Sequence, residues 1–395
     1  MSVLINEKLH SHRLKWRWPL SRQVTLSIGT LAVLLTVWWA VAALQLISPL
    51  FLPPPQQVLA KLLTIAGPQG FMDATLWQHL AASLTRIVLA LLAAVLIGIP
   101  VGIAMGLSPT VRGILDPIIE LYRPVPPLAY LPLMVIWFGI GENSKILLIY
   151  LAILLTVWWV VAALQLISPL FLPPPQQVLA KLLTIAGPQG FMDATLWQHL
   201  AASLTRIVLA LLAAVVIGIP VGIAMGLSPT VRGILDPIIE LYRPVPPLAY
   251  LPLMVIWFGI GETSKILLIY LAIFAPVAMS ALAGVKSAQQ VRIRAAQSLG
   301  ASRAQVLWFV ILPGALPEIL TGLRIGLGVG WSTLVAAELI AATRGLGFMV
   351  QSAGEFLATD VVLAGIAVIA IIAFLLELGL RALQRRLTPW HGEVQ

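Results

Sequence analysis

An all-α, polytopic transmembrane helical bundle is the fold this chain predicts, and three observations predict it. Of its 395 residues 60% are hydrophobic and only 10% are charged, whereas a soluble domain carries about 25% charged residues. Residues 24–47 run without a single charge, and at 1.5 Å per residue about 20 residues cross the hydrocarbon core. The net charge of +9 is grouped at the ends of apolar runs. Lys8, Arg13, Lys15, Arg17 and Arg22 precede the first run; Lys286, Arg292, Arg294 and Arg303 share one polar loop; Arg381, Arg385 and Arg386 follow the last. Basic residues beside span ends mark the cytoplasmic side. The positive balance therefore reads as topology, with membrane lipid as the surrounding partner and no nucleic acid.

Residues 1–23 form a basic cytoplasmic tail. The run 24–47 is too long for the apolar region of a signal peptide and is followed by no small-residue cleavage site, so it reads as a retained first span. Beyond it a repeat dominates. Residues 31–150 recur at 151–270, and only four of the 120 positions differ: Val33/Ile153, Ala40/Val160, Leu96/Val216 and Asn143/Thr263. Solenoid repeats are shorter and more numerous, and the halves of inverted-repeat transporters resemble each other only weakly. Near-identity points to a recent tandem duplication or to an artefact of sequence assembly. The chain divides accordingly into a first, partial copy (24–150), a complete core (151–383) and a cytoplasmic tail (384–395).

Nearly charge-free runs place candidate spans at 24–47, 87–105, 113–139, 146–167, 207–225, 233–259, 266–285, 319–340 and 361–380. The fourth fuses two halves across the joint between Tyr150 and Leu151. Nine crossings would put the loop bearing Lys286 and Arg294 on the outside and invert the positive-inside bias. The weakest crossing is 113–139, which holds Asp116, Glu120, Arg123 and several prolines; each charge at a helix centre costs roughly 2.5–3.5 kcal/mol. With that segment kept on the cytoplasmic side, eight crossings remain, and residues from about 146 onward form a six-span unit with two extra spans ahead of it. The linkers 48–80 and 168–200 each carry three consecutive prolines, which cannot continue a helix, and then the amphipathic stretch QQVLAKLLTIAG, which suits the membrane interface.

Glycines recur every fourth residue at Gly98, Gly102 and Gly106, at Gly218, Gly222 and Gly226, and at Gly322, Gly326 and Gly330. That spacing puts them on one helix face, where backbones approach closely; packing within the bundle and a dedicated dimer interface both use such a face. No phosphate-cradling G-x-x-x-x-G-K-[ST] loop occurs, there is no cysteine, and no acidic or histidine cluster has metal-ligand spacing. The chain is not expected to be an enzyme or to hold a cofactor. Ionisable residues inside apolar runs are functional candidates because burying them is costly. Asp236, Glu240 and Arg243, in a proline-rich run, and Glu338 are the candidates for a transport pathway. The alternatives are an interfacial elbow whose charges reach headgroups and, for Glu338, a span end. Arg324 raises the same question.

The most specific stretch is 294–313, RAAQSLGASRAQVLWFVILP. It reads as a short helix, a glycine cap at Gly300 and a second helix closed at Leu312-Pro313. Two helices in twenty residues exceed a usual connection and suit a docking element, placed within a loop at 286–313.

This stretch resembles the EAA loop of ABC importer permeases, EAA-x3-G-x9-I-x-LP. Ala295, Ala296, Gly300, Leu312 and Pro313 match in register, Val310 stands for the Ile, and Arg294 stands for the Glu. With one repeat removed, the whole chain resembles the branch of these permeases that carries taurine, sulfonates and nitrate. The resemblance implies a type I importer fold in a bacterial inner membrane, operating as a homodimer. Cytoplasmic ATP-binding subunits would dock on Arg294, Ala295, Ala296, Gly300, Leu312 and Pro313, and a periplasmic substrate-binding protein would deliver taurine or a related sulfonate. ATP hydrolysis then belongs to a separate subunit. Two alternatives stay open: an ion-coupled secondary transporter, which would work without an ATPase, and a non-functional duplicated permease.

Overall fold

The computed structural model describes residues 22–113, 115, 126–130, 132, 168, 170–171, 173–288 and 290–390. The fused run 146–167, most of 113–139 with Asp116, Glu120 and Arg123, the joint at Tyr150 and Leu151, most of the amino-terminal tail and residues 391–395 lie outside the described residues. What is described is helical. Of the first copy it contains α1 (Arg22–Ala43), α2 (Pro55–Ala66) and α3 (Leu76–Leu107). From the second copy onward it contains α4 (Pro175–Ala186), α5 (Leu196–Leu227), α6 (Pro229–Tyr242), α7 (Leu251–Phe258), α8 (Glu262–Ser287), α9 (Gln290–Ser298), α10 (Leu312–Ala341), α11 (Leu346–Glu355) and α12 (Thr359–Leu387). Among the described residues six helices are long and apolar enough to cross a membrane.

Local chemistry explains the boundaries. The amphipathic helices α2 and α4 start at the third proline of each triplet, where a missing N–H costs nothing and the fixed φ suits the first turn. α3 and α5 start at capping boxes: the Thr195 hydroxyl accepts from the Gln198 N–H, and the Gln198 side chain accepts from the Thr195 N–H. The charge-free run begins this span eleven residues later, at Ile207, because an apolar-run reading stops at Arg206. The run 233–259 is not one helix. Pro244, Pro246, Pro247 and Pro252 divide it into α6, a 3-10 turn at Pro247–Tyr250, and α7.

α8 is the axis of the bundle, and glycine faces close on it from two sides. A β-carbon at Gly222 would meet the Ala278 carbonyl and Ala281, and one at Gly226 would meet Val285. On the other side, α10 lays Gly322 against Ser280 and Gly326 and Gly330 against Ile273. Both stripes are therefore packing faces within the bundle. The core that results runs through Ile207, Ile269, Ile273, Leu334, Met349 and Ile369.

The first copy meets this bundle through α1. The Ser27 hydroxyl donates to the Gly233 carbonyl of α6 at 3.1 Å, and the Trp257 indole N–H of α7 donates to the Phe51 carbonyl just after α1 at 2.9 Å. α4 returns the chain to α12, where the Thr359 hydroxyl donates to the Leu170 carbonyl at 2.7 Å. The 3-10 turn at Pro127–Tyr130 also buries Ala129 and Tyr130 in the main core. The repeat assigns the first span of the six-span unit to 146–167; among the described residues α1 lies in contact with α6. Ser27 precedes the repeated block, and the position 120 residues later is Leu147, which has no hydroxyl to offer.

Candidate functional site

The segment between α8 and α10 forms the expected hairpin. α9 ends in a paired closure in which the Ala301 N–H donates to the Ala296 carbonyl at 3.0 Å and the Gly300 N–H to the Gln297 carbonyl at 3.0 Å. This closure requires a left-handed residue, and Gly300 supplies it at φ +84. Ser302 then caps the next turn. The chain does not stop at Leu312-Pro313. It passes through a π-turn at Leu307–Ile311 straight into α10. Proline removes a backbone donor and crowds the carbonyl four residues earlier; the wider turn accommodates both. Ala296 packs against Ala281, Val285 and Val306, which fixes the hairpin to the bundle. Arg294 and Ala295 point outward, beside Val291 at 78% and Leu299 at 89% exposure. An exposed face with two large apolar side chains and Arg292, Arg294 and Arg303 has the composition of an interaction surface.

The intramembrane candidates separate into two places. On α6, Arg232 pairs with Asp236 at 3.2 Å and Arg243 with Glu240 at 3.4 Å, and the last two are more than half exposed. Glu338 lies near the end of α10 and is 1% exposed. Its carboxylate accepts from Arg206 Nη1 at 2.5 Å, from the Ser203 hydroxyl at 2.8 Å and from the Gly347 N–H at 2.9 Å. Arg206 continues in a two-pronged pair to Glu262, through Nε at 2.5 Å and Nη2 at 2.7 Å, and Lys265 closes on the same carboxylate at 3.0 Å. Two cations and two anions balance, so the burial is tolerated.

The cluster ties four elements at one end of the bundle. α5 gives His199, Ser203 and Arg206, α8 gives Glu262 and Lys265, α10 gives Glu338, and the start of α11 gives its backbone donors. The Leu346 N–H donates to Ser203 Oγ at 2.9 Å, and Arg206 also donates to the Arg344 carbonyl at 2.8 Å. His199 Nδ1 accepts from the Gly345 N–H at 3.1 Å. Its proton therefore sits on Nε2, facing the Phe191 carbonyl at 3.1 Å. Gly345, at φ +141, and Gly347 leave room for the carboxylate that a β-carbon at either position would strike. Such an arrangement fixes helix ends relative to one another. The Ser203 hydroxyl is taken up between Glu338 and the Leu346 N–H, and among the described residues no group of side chains could hold a metal.

Of the candidates named from sequence, the structure puts Arg294, Ala295, Ala296 and Gly300 on the hairpin, Leu312 and Pro313 at the start of α10, Asp236 and Glu240 on α6, and Arg243 at its C-cap. Glu338 stands apart, in a cluster whose other members the sequence reading passes over. The capping pair Thr195 and Gln198 is the available signal, because it moves the start of α5 back to Leu196 and Arg206 into the span.

Comparisons with known proteins bear on both places. A family described as the binding-protein-dependent transport system inner membrane component matches residues 214–389, which takes in α8, the hairpin and α10 to α12. The chain is 68% identical over 395 residues to a taurine transport system permease protein of Escherichia coli, covering all of both chains. It is 36% identical over 257 residues to a putative ABC transporter permease protein of Methanocaldococcus jannaschii, covering 64% of this chain and 94% of that one. A putative aliphatic sulfonates transport permease protein of Bacillus subtilis is 34% identical over 244 residues, with 62% and 87% covered.

Proposed function

Because the chain belongs to the family of ABC importer permeases, we propose that it carries taurine or a closely related small sulfonate across the bacterial inner membrane. As a permease it is a transport subunit and not an enzyme. ATP-binding subunits and a periplasmic binding protein are its working partners. The observation that carries the choice of cargo is the full-length 68% identity to the taurine relative, about twice the identity to the aliphatic sulfonate relative. A permease-deficient strain expressing this chain should regain growth on taurine as sole sulfur source. Growth restored on other sulfonates but not on taurine would move the cargo to those compounds, and failure on all of them would overturn the reading.

In this reading Arg294, Ala295, Ala296, Gly300, Leu312 and Pro313 belong to the element that receives the ATP-binding subunit. The exposed Val291 and Leu299, the small Ala295 and the basic edge support that role. Gly300→Trp should leave the chain inserted yet abolish co-purification of the ATP-binding subunit. A bulky side chain occupies the docking face, and φ +84 disfavours any side chain. Undiminished co-purification would remove the hairpin from the interface.

The charges on α6 keep the pathway role, since Glu240 and Arg243 have surface to offer a zwitterionic cargo and Glu338 has almost none. A second copy of the chain and the surrounding lipid would cover outward side chains such as Ile371, Leu375 and Leu378. The eight-crossing topology is retained with different membership. With the basic amino terminus inside, α1 crosses outward as the first span of the second-copy bundle, and α3 and 146–167 become the extra pair. The contact between Ser27 and Gly233 supports this choice.

A further inference from the structure

Between α10 and α12 lies a cavity of about 480 Å³, within the size range of small-molecule sites. Thr321, Arg324, Gly328 and Trp331 line it from α10, and Glu377 and Arg381 from α12. Its charges are unevenly satisfied. Arg324 donates to Glu377 Oε1 through Nε at 3.1 Å and Nη2 at 2.5 Å, and Arg381 donates to that same oxygen at 3.0 Å. Arg324 makes one more bond, to the Gln384 side chain at 3.3 Å. Two guanidinium groups thus share one carboxylate, and the cavity wall keeps one positive charge in excess. A guanidinium has five N–H donors, so both arginines have donors to spare. Trp331 is 3% exposed, and its indole N–H is buried without a partner among the described residues. A buried orphan donor beside a cavity with surplus positive charge is a costly arrangement unless something accepts from it. Charged groups inside spans that face a cavity mark the route of a translocated solute.

We infer that this cavity is a transient site for the anionic head of the cargo, with Arg324 and the Trp331 indole N–H meeting its oxygens and Thr321 and Gly328 shaping the wall. The inference rests on the chain being a sulfonate permease. A sulfonate offers three acceptor oxygens on one centre, which suits donors converging from two helices. Glu377 keeps the site from holding an anion too tightly, because both arginines return to its carboxylate when the cargo leaves. Among the described lining residues Glu377 is the one carboxylate, and two arginines already donate to it, so the site reads the anionic end.

The chain has no cysteine, which permits a test that does not depend on knowing the cargo. Thr321→Cys in the full-length chain, assembled with its ATP-binding subunits in proteoliposomes, is titrated with two small thiosulfonate reagents, one bearing a sulfonate and one a quaternary ammonium. The sulfonate reagent should react about tenfold faster or more, the discrimination that one hydrogen bond to a charged group provides. Arg324→Gln should abolish that preference, and Trp331→Phe, which keeps the ring and removes the donor, should reduce it. Equal rates, or a faster cationic reagent, overturn the inference. In parallel, Trp331→Phe should slow taurine uptake about tenfold while the amount of complex recovered with its ATP-binding subunits stays at the parent level. A parent chain that carries no taurine yet prefers the anionic reagent refutes the cargo and leaves the anion site standing. Protection of the introduced thiol by anionic lipid but not by free sulfonate assigns the cavity to a lipid headgroup and overturns the inference.

Discussion

α3 and α5 are nearly the same helix written twice. Over 32 residues they differ only at Leu96 and Val216. The structure nevertheless gives them different fates. In its most apolar window α3 has none of its residues buried, whereas 28% of the corresponding window of α5 is buried. Gly98, Gly102 and Gly106 look onto open space, while Gly218, Gly222 and Gly226 lie against Phe274, Ala278, Ala281 and Val285. α3 runs continuously through Pro100, but α5 opens a π-turn at Ala214–Gly218 just before Pro220. Composition and capping were enough to make the helix in both places. What separates the two is the partner. α5 is followed in sequence by the α8 and α10 that its glycines, Ser203 and Arg206 fit, and the bundle has room for one such helix.

The sharpest break of this comparison uses the paired arginines. Arg206→Ala should cost roughly 3–5 kcal/mol, because it leaves Glu338 charged, buried and short of its main partner. The expected outcome is loss of monodisperse protein in detergent. Arg86→Ala, the same change on a helix with no buried residue, should cost clearly less. Equal damage from both would mean that α3 also has a structural place in the bundle.

A smaller effect is expected on the glycine faces. Gly222→Ala drives a β-carbon into the Ala278 carbonyl, and overpacking of this kind costs about 1–3 kcal/mol. Gly102→Ala meets nothing within 4 Å and should be neutral or slightly stabilising, since alanine favours a helix by roughly 1 kcal/mol over glycine. Thermal melting of the two variants reads the difference directly. A Gly222→Ala chain as stable as its parent would show that α5 and α8 are further apart than the structure places them.

How much of this was legible in sequence follows from the same pair. The helices, the glycine faces, the interfacial α2 and α4 and the hairpin with its cap at Gly300 all follow from local pattern. The buried cluster does not. An apolar-run reading treats every charge as a boundary, so Arg206, Glu262 and Lys265 fall at span edges, and Glu338 looks like a lone pathway candidate. The two pairs made by Arg206 span 56 and 132 residues of sequence, and no local pattern encodes them. The end of the hairpin also escapes, because Leu312-Pro313 reads as a stop and the structure carries the helix through it with a π-turn. The choice between two candidate first spans escapes for another reason: thirteen residues of α1, from Leu31 onward, are repeated in 151–163 with only two changes, so similarity could not rank them.

The residues of α1 that are not repeated offer a way to rank them, and they carry the last prediction. Ser27 reaches the Gly233 carbonyl, and its counterpart by position in the fused run is Leu147. A helix carbonyl near a proline-broken segment gains about 1 kcal/mol from such a hydroxyl, and a leucine in the same place offers bulk and no donor. Ser27→Ala should therefore lower the melting temperature by only a few degrees, the smallest effect of the series. The geometry of the contact is the stronger readout. With Ser27→Cys and Gly233→Cys in one chain, mild oxidation or a short bifunctional thiol reagent should join the two positions within the chain. Leu147→Cys with Gly233→Cys should not join them. The opposite pattern would give the second-copy bundle to the fused run, make α1 and α3 the extra pair, and restore the division of spans that the repeat alone suggests. Joining in neither pair would show that no first span sits against α6, and the eight-crossing arrangement would then lose its support.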